Sequence, residues 1–280
     1  MSHGPSPAQQ TSWDARAAAN FICGGAGAGL IAFTALARVD GQALTLLTLA
    51  GLALVAAGLL CVWHEIGRPL RALHVFFHPR TSWMSREAFV ATLLFPAGLA
   101  AAARVPGFAW VGGALALAFA LCQGRMLQSA RGIPAWRQPL VAPLLVVTAL
   151  VEGGGLLLVA SPWIRASQAL LASFAGLVLL RVIVWLAYRG ALGATLAPRA
   201  LAALDAAGRA LQLAGTFVPL LLVLLVAAGW SDGTAASAAL ALAGIAAAAS
   251  GGYMKHALIM RAGFTQGFAL AHLPVRGTSS

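Results

Sequence analysis

Residues 43–63 read ALTLLTLAGLALVAAGLLCVW, a run without a single charge. At 1.5 Å per residue, about 20 apolar residues in a helix cross a hydrocarbon core of about 30 Å. The stretch therefore predicts a transmembrane helix. The adjoining stretch is of the opposite character. Residues 64–87, HEIGRPLRALHVFFHPRTSWMSRE, form the most polar long connection in the chain, with His64, Glu65, Arg68, Arg71, His74, His78, Arg80, Arg86 and Glu87 set between two apolar runs.

The apolar pattern recurs along the rest of the chain. Its 280 residues are 60% hydrophobic and only 9% charged, against about 25% charged in an ordinary soluble domain. Spans are expected at 17–37, 43–63, 87–103, 108–127, 140–160, 163–188, 210–229 and 235–252. This predicts an all-α integral membrane protein of eight transmembrane helices, arranged as two four-helix bundles in one polytopic domain over 1–280. Polar tails are expected at 1–16 and 253–280. The first sixteen residues include Pro5, Pro7 and Asp14 and offer no basic region before the first apolar run, so the first span reads as retained. The glycine run 24–29 lies inside an apolar stretch with no preceding strand. Gly25 and Gly29 therefore read as a helix-packing face and not as a phosphate loop.

The formal net charge is +11, yet the charge is spread over span-flanking segments and not along one face of a soluble module, which argues against nucleic acid. One set of connections holds Arg16, Arg68, Arg71, Arg80, Arg86, Arg125, Arg131, Arg137, Arg189, Arg199, Arg209, Lys255, Arg261 and Arg276; the other holds Arg38, Arg104 and Arg165 beside Asp40 and Asp232. Short loops rich in Lys and Arg stay in the cytoplasm. Both termini and the 64–87 loop are accordingly expected there. A loop that docks a soluble partner would carry arginines as well.

Two ionisable groups lie deep in apolar runs. Glu152 is about 12 Å from the outer end of its span and Arg181 about 27 Å from that surface, by helix rise, so they are not expected to pair. Glu152 reads either as part of a proton path or as a protonated carboxyl bonded to a neighbouring helix. Arg181 reads as snorkelling or as facing the loop end of the bundle. Cys23, Cys61 and Cys122 stand singly, without the spacing that holds a cluster or zinc. Membrane haem needs imidazoles on facing helices; His74 and His78 lie in the loop, while His3, His256 and His272 lie in the tails or beyond the last span. No haem, iron-sulfur cluster or metal is expected on this chain. The tryptophans read mainly as interfacial anchors, with Trp83 and Trp136 also placed to meet a quinone ring or a partner.

His64 ends one span and Glu87 begins the next, so both are expected at one membrane depth on neighbouring helices. Such a pair can exchange protons with a bound quinol, which releases two protons with its two electrons. Arg68 or Arg86 would orient Glu87. Read alone, Glu87 equally fits an acid favoured in a first helical turn and capped by Ser85, with His64 a plain interfacial residue.

HEIGRP followed by RTSWMSRE resembles the signature loop of the membrane anchor subunit family of dimethyl sulfoxide reductase, and ARGIPAWRQPLVAP, residues 130–143, is similar to that family's Ile-Pro-Ala-Trp segment. The resemblance implies a quinone-reactive anchor, binding menaquinone or ubiquinone, in a complex with a four-cluster iron-sulfur subunit and a molybdopterin catalytic subunit in the bacterial inner membrane. It places the quinone site on His64 and Glu87, with Arg68, Ser85 and Arg86 beside them. Arg71, Arg80, Arg125, Arg131, Trp136 and Arg137 would form the docking platform. Glu65 departs from the pattern by putting a carboxylate after the histidine. WDARAAANFICGGAGAGL, residues 13–30, looks like the membrane subunit of phenylacetyl-CoA:acceptor oxidoreductase, which implies electrons flowing from a cytoplasmic thioester into quinone. The alternatives are an exported anchor that oxidises quinol and a proton or solute transporter built on Glu152.

Overall fold

The structure, a computed structural model, describes residues 6–65, 69–164, 166–192, 196–230 and 232–267. Among these, eight long helices follow one another: α1 (Ala15–Leu36), α2 (Gly41–Glu65), α3 (Trp83–Ala102), α4 (Phe108–Ser129), α5 (Val141–Val159), α6 (Gln168–Ala191), α7 (Pro198–Ala227) and α8 (Gly233–Arg261). A 3-10 stretch, Pro69–Phe77, and a single turn, Pro134–Arg137, lie in the connections. Among the described residues there is no strand. The chain is thus all-α and multi-pass. Seven of the helices are long and apolar enough to cross a membrane. The exception is α3, whose 20 residues include Arg86, Glu87 and Pro96.

Local chemistry sets the helix ends. The Ser82 hydroxyl accepts from the Ser85 amide and starts α3, and Ser167 does the same for α6 through Leu170. Ser82, not Ser85, is therefore the cap near Glu87; Ser85 itself is buried inside the first turn. Asp14 caps α1 by accepting from the Arg16 amide. The Arg16 guanidinium beside it holds the exposed Asp14 carboxyl below its ordinary range. Pro198 opens α7 at a position that needs no backbone donor.

The largest departures from the sequence reading are at two boundaries. The polar connection expected over 189–209 is helical from Pro198. It buries Ala200, Leu204, Ala207 and Leu211 on one face, and its Asp205 receives Arg189 of α6 at 2.7 Å. The last helix likewise does not stop at residue 252 but continues through Lys255 and His256 into Arg261.

Because lipid tails are as apolar as the helices they surround, association depends on close packing. Both α1 and α5 sit at the middle: α1 packs on α2, α4 and α5, and α5 packs on α4, α6 and α8 as well. At the α1–α5 crossing, a Cβ on Gly29 would run into the Ala149 carbonyl and one on Gly153 into the Gly29 backbone. Gly155 and Gly244 meet in the same way between α5 and α8. The two terminal segments also meet: Gln9 bridges Phe264, the Gln10 amide donates to the Gly263 carbonyl at 2.8 Å, and the Thr265 amide donates to Ala8 at 2.8 Å.

Among the described residues, three helices contain π turns, at Asn20–Gly24 in α1, Leu213–Phe217 in α7 and Ala257–Arg261 in α8. A π turn loosens the backbone ladder and leaves carbonyls for other donors. Here side chains take them. Gln123 donates to the Asn20 carbonyl at 3.1 Å, Lys255 to Phe21 at 2.9 Å, Arg181 to Gly215 at 2.5 Å, and Trp136 to Leu258 at 2.9 Å.

Candidate functional site

Glu87 lies in the first turn of α3, yet it does not face water. Its residue is 4% exposed, and its carboxylate meets the side-chain amide of Asn20 from α1 at 3.5 Å. Gln123 of α4 also hydrogen-bonds it and is fixed from behind by its bond to the Asn20 carbonyl. A carboxylate held only by neutral amides retains less stabilisation of its charged form than one facing an arginine. Such a group can take a proton.

The expected companions are placed differently. His64, in the last turn of α2, is exposed and turns its Nδ1 back to the Leu60 carbonyl at 2.7 Å, while Arg16 donates to the His64 carbonyl at 3.0 Å. Among the described residues no hydrogen bond joins His64 to Glu87. Arg86 does not orient Glu87 either. Its guanidinium donates to the carbonyls of Pro79 and Arg80, each at 2.8 Å, and lies 4.1 Å over the Trp83 ring. It closes the end of the loop. Arg68 lies outside the described residues, as does the side chain of Arg71.

Arg125 also stacks on Trp83, at 5.3 Å, and donates to Gln128. Arg80, Arg131 and Arg137 are exposed, and Arg137 reaches Gln266 in the C-terminal segment at 2.9 Å. These arginines share one end of the helices with the loop. Trp136 does not share their position. At 2% exposed it packs 4.9 Å from Trp13 and donates to Leu258, so its indole belongs to the core and is not presented to a partner.

The structure adds a residue that reading the sequence assigned to the tail. Lys255 is 1% exposed, and its ammonium donates to the Glu152 carboxylate at 2.5 Å and to the Phe21 carbonyl at 2.9 Å. Glu152 is therefore in an ion pair between α5 and α8. Arg181, instead of snorkelling, is fully buried and is held by the carbonyls of Ala247 and Gly215. The signal for Lys255 was present: residues 253–261, YMKHALIMR, contain no glycine or proline, and Gly251, Lys255 and Leu258 fall on one helical face. Gln123 carried no signal beyond being an amide in an apolar run.

Together these residues make a buried polar line across the bundle, from Glu87 through Asn20 and Gln123 to Lys255, Glu152 and Arg181. Beyond Glu152 the rings of Phe33 and Phe174 close over Gly154 and make the next layer apolar. Among the described residues, no group of three or more His, Cys, Asp or Glu side chains gathers as metal ligands would. Comparison with known protein families and with curated proteins finds no match to this chain.

Proposed function

We propose that the chain is the membrane anchor and quinone-reactive subunit of a molybdopterin and iron-sulfur oxidoreductase, passing electrons between the quinone pool and an iron-sulfur partner. The observation that carries the reading is Glu87: a buried carboxylate held by neutral amides, one helical turn below an arginine-rich loop. A quinone headgroup at the loop end of α2 and α3 would exchange protons with Glu87. His64 would serve from the loop rim, and Ser85 and Arg86 would shape the floor. Arg80, Arg125, Arg131 and Arg137, with Arg71 and Arg68 in the same segment of chain, would meet the iron-sulfur subunit, and through it a molybdopterin subunit acting on a substrate such as phenylacetyl-CoA. The resemblance of residues 64–87 and 130–143 to dimethyl sulfoxide reductase anchors supports the same assignment.

The finer architecture belongs to this proposal. We read α3 as an eighth crossing, with α1–α4 and α5–α8 as two four-helix halves. In this arrangement α1 packs on α2 and α4 and α3 on both of them within the first half, α8 packs on α5 and α7 within the second, and α1 and α4 join the halves through α5. An even number of crossings also suits the meeting of the two terminal segments. The arginine-rich end, with both termini, would face the cytoplasm of a bacterial inner membrane. A proton or solute transporter using Glu152 is the second reading, and the buried Glu152–Lys255 pair favours it. The apolar layer at Phe33 and Phe174 weighs against a path through the bundle.

The test is quinone-coupled turnover in membranes holding the whole complex, comparing wild type with Glu87→Gln and His64→Ala at matched assembly. Loss of quinone coupling in Glu87→Gln, with dye-linked activity of the soluble module retained, is the expected outcome. Full quinone activity in both variants would sink the site and leave a tether.

A further inference from the structure

Two buried acids, Glu87 and Glu152, stand at the two ends of a string of buried polar groups. Asn20 offers its amide nitrogen to Glu87, but its Oδ1 has no protein partner. Gln123 Oε1 and the Lys255 ammonium both lie against Gly25, near the point where a side chain there would begin. Lys255 then holds Glu152 Oε2, while Glu152 Oε1 is again without a protein partner and lies against Gly251; the Thr148 hydroxyl, four residues earlier in α5, is unpartnered too. Glycines border the string at each step: Gly24 and Gly58 at Asn20, Gly25 at Lys255, Gly251 at Glu152. A buried polar oxygen ordinarily finds a protein partner or an ordered water. The string is closely packed at these glycines: a Cβ on any of the four would meet one of its polar atoms at 2.3–3.3 Å.

We propose that the Glu152–Lys255 pair is an internal proton-binding site, filled and emptied from Glu87 along Asn20 and Gln123, past the close approach of Gln123 and Lys255 at Gly25. The transfer moves one proton and no electrons. Glu87 in its carboxyl form and Glu152 as carboxylate become Glu87 carboxylate and Glu152 carboxyl. Lys255 hands one ammonium proton across the 2.5 Å contact to Glu152 and receives one from the Gly25 side, so it ends as it began. The charged and titratable groups facing the pair are Arg181 from α6, Cys23 from α1 and, along the string, Glu87 from α3. Phe33 and Phe174 lie over Gly154 in the same helix, and in the proposed cycle the proton enters and leaves the pair on the Glu87 side. The assignment rests on the quinone reading only for the origin of the proton.

Infrared difference spectra of the full chain in lipid nanodiscs test this without quinone. Wild type minus Glu152→Gln isolates the Glu152 band. The expected result is a protonated carboxyl band that appears at acid pH, disappears at alkaline pH, and exchanges with deuterium about tenfold more slowly in Gly25→Ala and in Glu87→Gln. Gly25→Ala meets chiefly the movable tip of Lys255 and keeps every charge, and Glu87→Gln tests the entrance separately. A Glu152 band that stays ionised throughout means a static ion pair and overturns the proposal. So does a band that titrates with unchanged exchange in both variants, since the proton then arrives by another way. Neither outcome touches the turnover test of Glu87 as a quinone group.

Discussion

A lysine and a glutamate at 1% exposure each sit in a medium where an isolated charge is far more expensive than a pair. Losing one partner is therefore worse than losing both. Lys255→Met should destabilise the chain by about 3–5 kcal/mol, and adding Glu152→Gln to it should restore most of that loss, as read by thermal unfolding in detergent. Equal destabilisation of the single and double variants would show that the pair is not the source. The same contrast separates what the sequence could disclose from what it could not. Glu152 and Arg181 stood out as charges inside apolar runs, and their separation along the helices was legible from rise alone. Their real partners were not: the carbonyls that hold Arg181 belong to α7 and α8, and the cation that holds Glu152 lies 103 positions away in the chain. Glu87 was legible as an acid in a first helical turn. That it turns inward to Asn20 and Gln123, away from His64, depends on how α1 and α4 pack beside α3.

For the helices, contact through glycine makes individual positions unequal. A methyl at Gly153 must displace the backbone of Gly29 and Leu30, so Gly153→Ala should lower stability by about 1–3 kcal/mol or more. Gly176→Ala in α6 meets nothing within 4 Å and should be neutral or gain about 0.5–1 kcal/mol from helix propensity. Unfolding of both variants in one detergent tests the pairing of α1 with α5; equal effects would mean that the crossing is not a close one. Glycine repeats in 24–29 made the packing face of α1 readable from sequence, though not its partner. The amphipathic start of α7 was harder to see because a hydropathy reading averages its Arg199 and Arg209 with the buried face of Ala200, Leu204, Ala207 and Leu211. Helical periodicity would have found it.

Across the protein, the pairing of residues 8–10 with 263–265 puts both terminal segments at one face. With α3 as a crossing, single cysteines at Gln9 and Thr265 should react with an impermeant maleimide from one side of sealed vesicles, and a cysteine at Arg104 from the other. Labelling of the Arg104 position from the same side as Gln9 would remove α3 from the count. The π turns give this architecture an unusual sensitivity. Each is geometrically an α-helix with one residue too many, and each lends its loosened carbonyls to a distant side chain: Gln123 and Lys255 at the first, Arg181 at the second, Trp136 at the third. Shortening 20–24 by one residue would turn the segment before it by about 100° and draw it in by about 1.5 Å. That carries Arg16 away from the His64 carbonyl and withdraws the seat of Lys255 together. In its lineage, such a chain would tolerate many exchanges of letters along these helices and few changes in their spelling length.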